Sequence, residues 1–407
     1  MNILLIQSTV YLPSWGGANK SNRLLLEGMA RRGHTCQALA PACGAHACGT
    51  VEQLNMILAE RNISKRKVGS YSIALSVNGV DVTAVTDTRH MVRTLRTMIS
   101  EVTPDLIVVA SEDPGQALLA AALGANRGPV IYLARTTMAL PFGPASPIRS
   151  ETKTRLLKQA AGIVMVSQYL KTYLQEWARV DSVQLPICPN GPGPFPDFAN
   201  FDSGFVTMVN PCAYKGITIF AAMAKALPDV AFAAVPTWGT NEADLLLLQG
   251  IPNVTILPPR DDVDEIFSQT RVLLVPSLWA EAKANMITEA MLRGIPVLTS
   301  DVGGNSEAML GSDYLLPVNA IDEFTDGLDS RLLPIAAIPR QNVEPWINAL
   351  WELLSQRELY ERVSTRSRSV ALAANSRDCD GQGFEQYLKG VREPGSSCGT
   401  EALESAI

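Results

Sequence analysis

What most constrains this chain is a recurring alternation. Short apolar runs rich in Val, Ile and Leu are each followed by a stretch of helical periodicity. In the first half the runs are Asn2–Ile6, Asp105–Ala110, Val130–Leu133 and Gly162–Val166. In the second they are Phe205–Val209, Val230–Val235, Val254–Leu257, Val272–Val275 and Pro296–Thr299. None alternates polar with apolar residues, so each suits a parallel strand buried on both faces. Between them lie the amphipathic stretches Asn19–Arg32, His90–Ile99, Gln168–Glu176 and Ile217–Leu227. Such alternation predicts α/β architecture with two doubly wound, Rossmann-like domains. The length, 407 residues, is too great for one ordinary core and fits two. One hairpin interrupts the pattern: Tyr71–Val77 and Val80–Val85 flank Asn78-Gly79, a pair that supplies the positive φ angles of a two-residue turn.

The stretch Leu185–Phe198 holds five prolines and two glycines, which neither a helix nor a central strand accepts. It sets a boundary between an acceptor-side domain, 1–187, and a second domain, 188–375. Residues 392–407 are small and polar and are expected to be disordered. Ligands of open α/β sheets bind beyond the carboxyl ends of the strands, so two such domains face to face predict a cleft between them.

Several classes are excluded. No apolar run approaches the roughly 18–20 residues that span a bilayer. The start, MNILLIQST, lacks a basic n-region and reads as mature sequence, so a cytoplasmic location is expected. The seven cysteines are odd in number and irregularly spaced, which argues against a disulfide framework. Cys43-Gly-Ala-His46-Ala-Cys48 has no second ligand pair nearby and reads as reduced thiols, not a metal site. No metal or other cofactor is expected. Residues 1–150 carry 14 Lys and Arg against 9 Asp and Glu, whereas 151–407 carry 20 against 31. The basic run Arg61–Lys67 (RNISKRK) suits a solvated loop or a peripheral contact with an anionic membrane surface. The acidic total and the lack of a recognisable module argue against nucleic acid.

Three constellations can carry chemistry. The first is Pro276–Gly304, PSLWAEAKANMITEAMLRGIPVLTSDVGG. A buried strand ends at Pro276-Ser277, a loop reaches Glu281, and a helix runs to about Arg293, where Gly294 stops it. Glu281 and Glu289 lie eight residues apart, so they share a side if the helix begins early. If Glu281 precedes the helix, it sits over the N-terminal end. The free N–H groups of Ala284, Asn285, Met286 and Ile287 then face the cleft and can bind a diphosphate. Gly303-Gly304 allows close approach of backbone to a ligand. The second is Asn210-Pro-Cys-Ala-Tyr-Lys215-Gly216, where Lys215 at a strand end can neutralise a pyrophosphate. The third is Pro13-Ser14-Trp15-Gly16-Gly17-Ala18, which is not the Gly-x-Gly-x-x-Gly fingerprint of a dinucleotide site.

Glu281-x7-Glu289, Ala290-Met291, Gly294-x-Pro296-Val297 and Asp301-Val302-Gly303-Gly304 together resemble the signature of family 4 retaining glycosyltransferases. The resemblance implies the GT-B fold and transfer of a sugar from a nucleoside diphosphate sugar to an acceptor hydroxyl. It further implies retention of anomeric configuration and no metal. By the same resemblance Glu281 lies by the donor sugar and Glu289 holds the ribose. Gly16-Gly17 resemble the family's Gly-Gly loop, which lies against the donor from across the cleft, and the residues themselves place Asn210, Lys215 and the amides of Ala284, Asn285 and Met286 at the donor's phosphates. The likeness extends to Arg32-Gly33-His34, Val166-Ser167 and Pro189-Asn190-Gly191. It also implies that residues 376–391, with Phe384–Val391, form a helix crossing back to the first domain. The acceptor class, whether small molecule, lipid or glycan, stays open.

The sequence also departs from that pattern. The arginine usual five positions before Lys215 is Asn210. The usual Phe and Gly after the first glutamate are Lys283 and Ala284. Lys283 can act on Glu281, contact phosphate or point to solvent. No histidine follows Val130–Leu133, leaving Arg135 or Thr136 to contact the sugar. Two alternatives remain open: a nucleotide-sugar 2-epimerase of the same fold, and a non-catalytic nucleotide-sugar binding protein.

Overall fold

Nine strands of the first half form one sheet. They are β1 (Asn2–Ile6), β2 (Thr35–Pro41), β3 (Lys65–Lys67), β4 (Ser72–Val77), β5 (Val80–Val85), β6 (Leu106–Ala110), β7 (Val130–Ala134), β8 (Gly162–Met165) and β9 (Val183–Gln184). The spatial order is 3-4-5-2-1-6-7-8-9. This is a computed structural model. It describes residues 1–14, 16–44, 50–185, 190–191, 193–312, 314–330, 333–378 and 381–392. Trp15, His46, Cys48, Cys188, Pro189 and the polar segment from 393 onward lie outside the described residues.

The centre of this sheet is parallel. Ile3 of β1 stands opposite Cys36 of β2 on one side and Leu106 of β6 on the other. All of β6 and β7 is buried, as uninterrupted apolar runs require when helices cover both faces. One face packs Leu5, Leu26, Met29 and Val82; the other packs Ile6, Leu95, Leu119, Tyr132 and Leu174. The Asn78-Gly79 hairpin joins β4 to β5, and β5 pairs parallel with β2. Within Arg61–Lys67, Lys65–Lys67 is no loop: it forms the exposed edge strand β3, antiparallel to β4.

The second sheet holds β10 (Phe205–Val209), β11 (Phe232–Val235), β12 (Val254–Ile256), β13 (Thr270–Val275), β14 (Val297–Ser300) and β15 (Leu315–Leu316), in the order 12-11-10-13-14-15, all parallel. Phe220, Trp346, Leu350 and Tyr360 fill one face, and Phe267, Ile287, Met291 and Ile295 the other. A small antiparallel pair, β16 (Phe324–Leu328) and β17 (Pro334–Ala336), is appended beyond it.

Residues 376–391 are not one helix. A long helix, Arg357–Asp378, precedes a shorter one, Gln382–Arg392. The shorter one lies on the first sheet's helical layer, with Phe384 and Leu388 buried among Leu26 and Met29. Glu385 receives Arg32 and His34, and Arg392 reaches Asp105 at 3.1 Å. No helix among the described residues is long and apolar enough to cross a membrane.

In both sheets the strand order reverses beside the first strand, next to β6 in one and β13 in the other. An open α/β sheet has its ligand crevice just outside the carboxyl ends of such strands. The loops that follow β1, β6, β10 and β13 are therefore the ones placed to build a site.

Candidate functional site

Those loops meet across one cleft of about 570 Å³. Gly16, Gly17, Arg135, Thr136, Asn210, Lys215, Glu281, Ala284, Asn285, Met286 and Glu289 all line it.

After β13 the chain runs through Pro276 and Ser277 in a loop that does not become helical until Asn285. Glu281 therefore precedes the helix. It is 5% exposed, and its Oε1 accepts from Ser277 Oγ at 2.6 Å and from Lys215 Nζ. Lys215 ends a short 3-10 turn, Ala213–Lys215, after β10. Gly216 follows with φ +81°, and a Cβ there would overlap the Pro276 carbonyl. This close approach of two strand-end loops brings the Lys215 cation onto Glu281. Nζ also lies 5.0 Å from the centre of the Trp279 ring, on whose face a cation is attracted.

Gly303 and Gly304 do not offer their backbone to a ligand, contrary to the sequence reading. They are pressed against the Glu281 loop. Gly304 N donates to Glu281 O at 2.8 Å, and a Cβ at either glycine would overlap the backbone of residues 280–282. Gly303 has φ +56°, which adds strain for any side chain. The pair shapes the site from behind.

The helix Asn285–Met291 starts from Ala284, whose extended backbone carries no side-chain cap. The N–H groups of Asn285 and Met286 lie in its first turn, where no intrahelical carbonyl reaches them. Ile287 does not join them: its N–H donates to Ala284 O at 3.1 Å and its side chain is fully buried. One turn on, Glu289 is 4% exposed and accepts from Lys20 Nζ at 2.6 Å. Lys20 belongs to the first-domain helix Gly17–Arg31, so this ion pair spans the cleft.

Asn210 sits at φ +61°, with its Oδ1 accepting from Gly239 N at 2.8 Å. Its Nδ2 is buried without a partner among the described residues, a donor left for whatever occupies the cleft. Lys283 lines the cleft half-buried and forms no ion pair among the described residues; the cation on Glu281 is Lys215.

The first-domain wall closes tightly on the second. Asn285 Nδ2 donates to Gly17 O at 3.1 Å, and a methyl group at Gly17 would stand 3.0 Å from that nitrogen. Thr137 Oγ1 donates to Ala280 O at 2.8 Å. Ser167 caps the helix Gln168–Ala178 by accepting from Leu170 N, and its hydroxyl donates to Ala282 O at 2.6 Å. Glu307 accepts from the N–H groups of Gln168 and Tyr169, completing that cap from the other domain. Arg61, read from sequence as part of a solvated run, reaches Asp261 at 2.8 Å.

Arg135 is buried beneath the cleft. Its N–H donates to Ser111 Oγ at 2.8 Å and its Nε to Asn22 Oδ1 at 3.1 Å. Burial pulls its pKa down to about 10, against the opposing pull of Glu112. Thr136 lines the cleft beside it.

Sequence reasoning missed Lys20, Ser277 and Glu112. Glu112 lies two residues beyond β6, at the reversal point of the first sheet, but that signal appears only once the strand order is known.

Two family models match the chain: "Glycosyltransferase Family 4" over residues 15–192 and "Glycosyl transferases group 1" over residues 200–332. Sucrose-phosphate synthase from Thermosynechococcus elongatus superposes with a TM-score of 0.67 at 15% identity, covering 96% of this chain and 99% of that one. The catalytic domain of starch synthase IV from Arabidopsis thaliana, bound to ADP and acarbose, gives 0.64 at 11% identity, with 96% and 99% covered. Anabaena Alr3699/HepE in complex with UDP-glucose gives 0.61 at 17% identity, with 100% of both chains covered. These likenesses establish the GT-B architecture. A sequence search of curated proteins finds no match.

Proposed function

The chain belongs to the group 1, family 4 glycosyltransferases, and from that premise we propose that it is a retaining, metal-independent enzyme. It moves a sugar from a nucleoside diphosphate sugar to an acceptor hydroxyl. The observation that carries this reading is the pairing of Glu281 with Lys215 and of Glu289 with Lys20 on one cleft. Two nearly buried carboxylates and two cations, held by two helices, a 3-10 turn and a loop, have no structural need to converge there. They suit a ligand with a sugar at one end, a diphosphate in the middle and a ribose at the other.

Glu289 accepts hydroxyl hydrogens of the ribose once Lys20 yields it. Lys215, the amides of Asn285 and Met286 and the spare Asn210 Nδ2 surround the diphosphate. There they stabilise the charge that builds on it as the glycosidic bond breaks. A cation and oriented dipoles already supply that stabilisation. Glu281, fixed by Ser277 and by the loop braced on Gly303-Gly304, orients the donor sugar. Because Glu281 is tied to Lys215, attack by the acceptor on the face the leaving group departs from fits better than a covalent intermediate on this carboxylate. UDP-glucose bound to Anabaena Alr3699/HepE supports this donor class.

The test is calorimetric titration with UDP, ADP and GDP, followed by mass spectrometry of products from the matching sugar nucleotides, with and without acceptor. One diphosphate is expected to bind, and Glu289→Ala to weaken it by about tenfold or more, the scale of a lost charged hydrogen bond. Binding unchanged in Glu289→Ala would remove the assignment. Conversion of the donor alone into an epimer would identify an isomerase instead.

A further inference from the structure

Resting on that reading, one group of side chains on the first-domain wall is not used by the diphosphate and ribose contacts proposed above. Glu112 follows β6 at the reversal point of the first sheet and lines the cleft. Both of its carboxylate oxygens are buried, and neither makes a well-formed hydrogen bond among the described residues, although the Ser111 and Asn22 side chains stand close enough to favour its charged form. Arg135 Nη2, Asn22 Nδ2, Thr9 Oγ1 and Ser14 Oγ are likewise buried without a well-formed hydrogen bond among the described residues. Buried polar groups are almost always satisfied, and leaving several charged and polar atoms unpaired costs stability that packing elsewhere must offset. A cluster of them on a cleft wall is therefore better explained by a ligand that satisfies them than by the fold.

The chemistry of the cluster restricts that ligand. Burial raises the Glu112 pKa, while the Arg135 charge and the nearby Ser111 and Asn22 side chains oppose the rise. The wall offers a carboxylate that accepts and, beside it, a guanidinium that only donates and an amide whose oxygen is taken by Arg135, leaving its Nδ2 to donate. A phosphate would satisfy Arg135 and be repelled by Glu112. A cation would do the reverse. A neutral ligand edge with neighbouring hydroxyl groups satisfies both, because each hydroxyl donates one hydrogen bond and accepts others. The two charges cancel approximately, so a neutral ligand also leaves no net charge buried.

We infer that Glu112, Arg135 and Asn22 form a polyol-binding subsite that takes the hydroxyl-bearing ring of the acceptor. Glu112, Arg135 and Glu281 line the same cleft, so a ring held on this wall shares that space with the donor sugar. The acceptor terminus is then a sugar or cyclitol, not a bare lipid or an aromatic alcohol.

The experiment uses the full-length protein, titrated by calorimetry and ligand-observed NMR with D-glucose, D-mannose and myo-inositol, each with and without UDP. UDP and inorganic phosphate alone serve as anionic controls. Glu112→Gln keeps the volume and one acceptor; Glu112→Ala removes the group. Both are accepted only if their melting temperatures show a folded protein. At least one polyol is expected to bind the wild type at millimolar concentration and to weaken about tenfold in Glu112→Ala, less in Glu112→Gln. UDP affinity should stay within about twofold. The inference is overturned if no polyol binds at tens of millimolar, or if binding is indifferent to Glu112. A parallel fall in UDP affinity overturns it too, by placing Glu112 on the donor. Failure of UDP to bind the wild type would refute the donor reading separately, since the polyol titrations without UDP still report on Glu112.

Discussion

The Lys20–Glu289 ion pair has a testable consequence. If Glu289 is the ribose carboxylate, Lys20 competes with the donor for it. At 2.6 Å and an effective dielectric of about 20, the attraction is on the order of 6 kcal/mol. Most of that is cancelled by the water both groups give up, since the Lys20 side chain is only 19% exposed and that of Glu289 only 5%. A residual of roughly 1–2 kcal/mol is consistent with hydrogen bonds to charged groups. Lys20→Met keeps the aliphatic stem and removes the charge. Nucleoside diphosphate affinity, measured by calorimetry in low and in moderate salt, should rise by about 5–30-fold. The gain should shrink as salt weakens the wild-type pair. A fall in affinity would refute the reasoning, because it would mean that Lys20 serves the phosphates and that the pair with Glu289 is not a competitor. No change would refute it equally, by showing that the donor does not reach Glu289.

Two further outcomes follow from the geometry. Gly303→Ala places a methyl group against the Glu281 backbone at φ +56° and is expected to cost about 1–3 kcal/mol in denaturant unfolding. The loop shift should weaken donor binding with it, whereas normal stability would show that the approach is not tight. Glu385 is held at about 2, well below its ordinary 4.5, chiefly by Lys389; burial opposes the shift, and Arg32 and His34 add to it. A depressed carboxylate stabilises the fold above its unfolded value. Its contribution is therefore complete above about pH 4.5 and lost as pH falls toward 2. Glu385→Gln should lower the melting temperature at neutral pH and flatten the acid limb over that window. An unchanged acid profile would show that the Glu385 ion pairs do not hold the last helix.

Much of this fold was legible in the chain because parallel strands announce themselves locally. Runs such as Leu106–Ala110 and Val130–Ala134 are buried on both faces and read as unbroken apolar strings. Thr35–Pro41 was missed for the opposite reason. TCQALAP carries polar residues and a proline, and it is a strand because β1 and β5 pair with it on either side. The β16–β17 pair is mostly exposed and leaves little hydrophobic pattern to read. The site divides in the same way. Glu281, Lys215 and the glycines lie in strand-end segments, and Glu289 in the helix that follows one, an order along the chain that is itself informative. Their partners are not: Lys20 meets Glu289 across 269 positions of sequence, and Thr137 meets Ala280 across 143.

The sequence by itself determined the two α/β layers, the strand-end loops and the residues those loops offer. Periodicity and turn chemistry are set by the backbone within a few residues. Tertiary structure alone decided which loops face each other. Strand order places β6 beside β1 and β13 beside β10, so that Glu112 and Arg135 share one cleft wall, and domain closure puts Lys20 on Glu289. Those relations depend on which sheet edges pair and which walls meet. No local pattern encodes that, because the free energy that selects it comes from burying surfaces far apart in the chain.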